Sequence, residues 1–185
     1  MLRRPILLGA LVFGLVAIRA WSAELTADEK VFLDRHFSDV VKVEYDRVSD
    51  PAVLKVFATP VYIVTVDIYY GEGSGGHNIV LATRRDDKLV GIARPGTDGN
   101  CPAIQQMFRR DFRLRNDNDA RVLQAALDAV FPLSGSSDQK AKTFRHAGHK
   151  WTFVRGPFFD AMLGFVMTTD SSGAVTGVEF VLKLP

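Results

Sequence analysis

The sequence predicts an α+β fold, with antiparallel meander sheets and amphipathic helices packed on one face. Three observations carry that expectation. Helix-period and strand-period apolar runs come in blocks, with no strict βαβ alternation. Several strand-period runs are joined by turns too short for a crossover, as at Arg85-Asp86-Asp87. No polar stretch is long enough to separate two domains, so one core is expected.

The N-terminus is read separately. Arg3 and Arg4 precede an uncharged run over 5–18, and Arg19-Ala20-Trp21-Ser22-Ala23 follows. Charge, a short apolar core and then small residues are the three parts of a secretory signal. The run is shorter than the roughly 20 apolar residues a spanning helix needs. Residues 1–23 are therefore expected to be a signal peptide, cut between Ala20 and Ala23, and 24–185 a single domain. The expected location is periplasmic or secreted, with no membrane contact after cleavage.

The first helix is expected over 24–37. Thr26 and Glu29 form a capping box, and Leu33, Phe37, Val40 and Val41 make one apolar stripe. From Val41 the period changes to two, predicting a strand through Tyr45. Pro51 suits the first turn of a short helix reaching about Phe57. The strongest strand is 61–70, with Tyr62, Val64, Val66, Ile68 and Tyr70 on its apolar face. Thr65, Asp67 and Tyr69 lie on a partly wet one. A glycine-rich turn over 71–76 then leads to strands at 78–84 and 88–94. Pro102 opens a helix through Ile104, Met107 and Phe108. A stronger helix follows, capped by Asp117, Asn118 or Asp119, with Val122, Leu123, Ala126, Leu127, Val130 and Phe131 on one side and Pro132 at its end. Strands at 150–154, 162–169 and 175–184 complete the chain. Asp170-Ser171-Ser172-Gly173 is the last hairpin turn.

Charge excludes one class of partner. The chain has 23 Lys+Arg and 21 Asp+Glu, but residues 1–23 hold three arginines and no acid. The remainder carries 20 basic and 21 acidic residues, a formal charge of −1, which gives no footprint for nucleic acid. One cysteine allows no internal disulfide, so stability has to come from packing.

Cys101 is the most suggestive single residue. Before Pro102 it sits at a helix start, where free N–H groups favour a thiolate. With His146 or His149 as base and Asp160 as the orienting acid, it would form a nucleophilic set. The order Cys101, His149, Asp160 is similar to that of cysteine peptidases and transglutaminase-like enzymes, in order alone. The residues after Cys101 match no nucleophile signature, and a meander precedes the cysteine helix where those folds place it ahead of their sheet.

Other patterns say less. Gly71 to Gly76 lacks the helix start and Lys-Ser or Lys-Thr pair of a phosphate loop. His146 and His149 stand in an H-x-x-H spacing broken by Gly148. Four histidines and one cysteine make no zinc set. Asn116-Asp117-Asn118-Asp119 fails as a calcium loop because Val122 stands where glycine is needed. Asp67 is the one acid inside a strongly apolar strand. Arg155-Gly156-Pro157-Phe158-Phe159 combines adjacent aromatics with a strand connection, so Arg155, Phe158 and Phe159 are candidate ligand-binding residues. No cofactor or metal is implied.

Two function classes follow. One is a non-catalytic binding or accessory protein of the cell envelope, taking a protein or small ligand, as an inhibitor or immunity-type factor would. The alternative is a cysteine-dependent hydrolase or transferase using Cys101, His149 and Asp160.

Overall fold

The computed structural model describes residues 22–37, 42–70, 74–93, 99–131, 143–158 and 161–181. In chain order the elements are β1 (Ser22–Ala23), α1 (Ala27–His36), β2 (Val43–Val48), α2 (Pro51–Val56), β3 (Val61–Tyr70), β4 (Ser74–Arg85) and β5 (Lys88–Ala93). Then come β6 (Gly99–Asn100), α3 (Pro102–Met107), α4 (Asp117–Val130), β7 (Phe144–Ala147), β8 (Lys150–Phe158), β9 (Ala161–Thr169) and β10 (Val175–Val181). The expected α+β class with meander sheets is the one the chain adopts. Two antiparallel sheets of five strands form, in the orders β1-β2-β3-β4-β5 and β6-β10-β9-β8-β7, with β1 and β6 only two residues long.

The helix starts follow from local chemistry. The Thr26 hydroxyl accepts from the Glu29 N–H, and the Glu29 carboxylate accepts from the Thr26 N–H, so the predicted capping box is present. Asp50 caps α2 through the Ala52 N–H, ahead of Pro51 at N1. For α4 the cap is Asn116, one residue before the expected candidates; its side chain accepts from the N–H groups of Asn118 and Asp119. Residues 38–41, with Val40 and Val41 of the expected α1 stripe, lie outside the described residues. Phe32 and Leu33 are the buried apolar residues of that helix.

The strands show where period-two reading falls short. Val61, Tyr62, Ile63 and Val64 are all buried, so both faces of this end of β3 are covered. Four successive apolar residues cannot alternate with polar ones, and only a sheet covered on both sides can bury them. One face joins Ile63 and Leu81 to Val53 of α2, Leu123 and Leu127 of α4, and Phe153 and Phe165 of the second sheet, in one cluster. The other places Tyr62, Val64 and Ala82 against Phe32 and Leu33 of α1. Helices therefore lie against both faces of this end of the first sheet. β4 also begins earlier than expected: Ser74, Gly75 and Gly76 pair with Tyr70, Tyr69 and Ile68. The partner strand runs on, and its ladder holds glycines whose own propensity is low. β7 was not anticipated at all. Phe144 is its one half-buried residue, and Arg145, His146 and Ala147 are exposed at the sheet edge.

α2 packs on α4, and α3 packs on both β5 and β10, so the helices link the two sheets. A second link is backbone. Ala58 N–H donates to the Met107 carbonyl at 2.8 Å and Arg109 N–H to the Val56 carbonyl at 2.9 Å. These bonds flank a bridge between Phe57 and Phe108, whose rings lie 5.1 Å apart. The connection from α3 to α4, residues 108–116, is thereby fixed at its start to the end of α2. At its far end Leu114 N–H donates to the Gly173 carbonyl at 2.8 Å, and Arg115 Nε to the Ser172 carbonyl at 2.8 Å.

Candidate functional site

Cys101 is the N-cap of α3, as expected, but its thiol makes no capping bond. It is half-buried and packs against the main cluster. Burial pushes the thiol above its ordinary value; the Phe180 N–H opposes this and the Glu179 carboxylate adds to it. The environment thus favours the thiol over the thiolate.

The second sheet separates Cys101 from His149. Cys101 follows β6 at one edge and bonds through its N–H to the Val178 carbonyl of β10 at 2.7 Å. His149 is exposed in the turn between β7 and β8, toward the other edge. Val178 pairs with Met167 and Met167 with Trp151, so β10 and β9 lie between the Cys101 segment and β8. Three strand spacings amount to roughly 14 Å, far beyond hydrogen-bond reach. His146 lies one strand further, on β7, stacked on Trp151 at 4.3 Å. Asp160 and Phe159 lie outside the described residues. Arg155 and Phe158 belong to β8, where the register with β9 shifts between Val154 and Gly156 and makes Arg155 the extra residue of a bulge. Asp67 is paired with His77 in the β3–β4 ladder. Among the described residues, no three His, Cys, Asp or Glu side chains gather as a metal site, and no helix is long and apolar enough to cross a membrane.

A small hollow of about 110 Å³ lies beside His146, and larger ones lie elsewhere among the described residues. Three neighbouring hollows share the 108–115 segment, Phe-Arg-Arg-Asp-Phe-Arg-Leu-Arg. The largest, about 980 Å³, is an open groove between α2, this segment and the first turns of α4. Leu54 and Lys55 line it from α2, Asn118 and Val122 from α4, and Phe112 and Arg113 from the segment. A second hollow of about 310 Å³ reaches Pro102, Ala174 and Val175. A third of about 410 Å³ reaches Ala58, Thr59 and Arg85. Together they are lined by six cationic side chains (Lys55, Arg85, Arg109, Arg110, Arg113, Arg115) and three acids (Asp86, Asp111, Asp119).

The arginines are held in different ways. Arg109 donates from Nε and Nη2 to the two carboxylate oxygens of Asp111, at 2.9 and 2.8 Å, and from Nη1 to the Leu54 carbonyl. That bidentate pair, its charge fully compensated, brings the Asp111 carboxyl down to about 2. Arg113 instead donates from Nη1 to the Arg110 and Phe112 carbonyls. Arg115 donates to the Ser172 carbonyl. Carbonyls fix these two guanidinium groups without neutralising them. Among the described residues, Arg110, Arg113, Arg115 and Lys55 form no ion pair. Leu54 is 44% exposed at the groove; the other large hydrophobic side chain so exposed among the described residues is Val31, on α1. None of the site residues expected from the sequence lies on this face. Its signal was four arginines within 109–115 with Phe112 among them, hidden by the near-neutral total.

Fold and site together define a two-sheet α+β protein with an arginine-lined open groove between helices. Comparison with family models, with curated proteins and with solved structures returns no match.

Proposed function

We propose that this chain is an exported, non-catalytic binding or accessory protein of the cell envelope, and that it meets its partner at the arginine-lined groove. One observation carries the reading. Three hollows converge on a single segment, two of whose four guanidinium groups, those of Arg113 and Arg115, are pre-positioned by backbone carbonyls with no carboxylate at ion-pair distance among the described residues. Pre-positioned cations lose little side-chain entropy on binding, which is what a recognition surface needs. The N-terminal pattern of charge, short apolar run and small residues supports export.

In-cell photo-crosslinking tests this reading. A photoreactive residue replaces Leu54 in the full chain, and a second variant carries it at Val31. A discrete adduct at position 54, absent at position 31, is the expected result. No adduct at either position, or the same products at both, would overturn it.

A further inference from the structure

We infer that the groove between α2 and α4 takes an acidic segment of a partner protein that also carries an apolar anchor side chain. This deepens the binding reading above and rests on it. The groove has the two chemistries such a segment requires. Leu54 projects into water from α2, with Val122, Phe112 and Pro51 around the same hollow. Phe112 is half-buried, and its ring lies 5.8 Å from that of Phe108, so the aromatic wall is anchored in the core. An apolar patch of this kind is a contact point for a side chain, not for a small anion.

Charge completes the argument. Among the described residues Lys55, Arg113 and Arg115 line the hollow with no carboxylate at ion-pair distance, although the Arg113 charge acts on Asp111 and Asp170, and Arg109 already has Asp111. The chain beyond residue 23 carries a formal charge of −1 in total, so the cations of this groove are a local concentration of positive charge. Asp119 is the remaining acid of the groove, and one of its oxygens accepts from the Arg115 N–H. Guanidinium groups match carboxylates in planar, two-bond geometry, which favours Glu or Asp side chains over a diffuse anion. A pure polyanion would satisfy the cations and leave Leu54 in water; a purely apolar peptide would leave the cations desolvated and unpaired.

The test uses the purified full-length chain and a fluorescent peptide alternating Glu and Leu. Controls are the peptide with Gln for Glu, poly-glutamate, and vesicles of anionic phospholipid. The Glu-Leu peptide is expected to bind, weakening about tenfold as salt rises from about 50 to about 500 mM. Leu54→Ala and Lys55→Glu are expected to weaken it about tenfold and about fivefold. Both positions are exposed, so the fold tolerates the changes, and Val31→Ala is expected to change nothing. Equal binding of the Gln-Leu peptide overturns the inference. So does binding of poly-glutamate or vesicles at full strength to Leu54→Ala, which makes the groove a general anion surface. No binding of the Glu-Leu peptide up to about 1 mM overturns it as well. A position-54 crosslink obtained alongside any of these results leaves the binding reading standing with another class of partner.

Discussion

Glu29 shows how much one side chain can hold. It is buried, and it accepts from the Tyr62 hydroxyl at 2.9 Å, from the N–H and hydroxyl of Thr26, and from Arg47 at 3.4 Å. Burial alone would raise its pKa, but the Thr26 and Tyr62 hydrogen bonds and the Arg47 charge outweigh it and bring it below 4.5. A depressed carboxyl adds stability that is complete above its unfolded value and disappears as pH falls through the folded one. The midpoint of urea unfolding is therefore expected to drop as pH goes below 4.5, and Glu29→Gln to flatten that dependence. Glu29→Ala removes the carboxylate half of the capping box and leaves the buried Tyr62 hydroxyl without its acceptor, a loss of about 2–3 kcal/mol in the same measurement. The opposite sign holds at Cys101. Its raised pKa predicts slow alkylation at neutral pH, faster only above the ordinary thiol range, and a profile that His149→Ala does not move. Thr26 and Glu29 were legible as a pair because a capping box is three residues long. Tyr62, 33 positions away, was not. Arg113 was equally opaque: its identity is in the sequence, but the carbonyls that fix it and the leucine across the groove are set by tertiary packing.

Between elements, three glycines with positive φ separate two costs. Gly148 (φ +58) stands at the β7–β8 turn with open space where a Cβ would go. Gly91 (φ +70) forms a bulge in β5, with Gly91 and Ile92 facing Ala82 alone. A Cβ there would lie 2.5 Å from the Ala103 carbonyl and 2.7 Å from Met107, so glycine is what lets α3 dock. Gly173 (φ +85) is buried, and a Cβ would meet Arg115 at 2.6 Å. Gly148→Ala is expected to cost about 1 kcal/mol from conformation alone. Gly91→Ala and Gly173→Ala are expected to cost about 3 kcal/mol, adding clash to strain. Thermal melts of the three variants check the ranking, and equal shifts would contradict the packing described for α3 and the 108–115 segment. Hairpin turns such as Asp86-Asp87, both at positive φ, were readable because turn chemistry is local. The edge strand β7 was not, since its pairing with β8 compensates for a sequence without alternation.

For the molecule as a whole, each sheet has helices inserted between its strands in chain order, yet the two do not have separate cores. Residues of both sheets and of α2, α3 and α4 share one cluster. Phe57 is fully buried at the junction of the two halves and packs against the tilted ring of Phe108. Phe57→Ala is expected to cost about 3–5 kcal/mol. Unfolding followed by Trp151 fluorescence, in the second sheet, should shift together with far-UV circular dichroism, as one cooperative unit. A Trp151 transition that stays in place would show two independent units. The α+β class and the meanders were legible because they rest on local periodicity and turns. The shared core and the groove were not, because both arise where distant segments meet.

One small pairing has a consequence for the finished protein. Ser22 and Ala23 form β1 and lie against Val48 and Arg47 at the outer side of β2. That places the edge guard of the first sheet inside the expected cleavage window. A signal peptidase cutting after Ala20 leaves the guard on the mature chain. A cut after Ala23 removes it and bares this end of β2, a template for strand addition by another molecule. If the chain is processed as expected, the cleavage position, read by intact mass, is expected to set the self-association that light scattering of the two forms would measure.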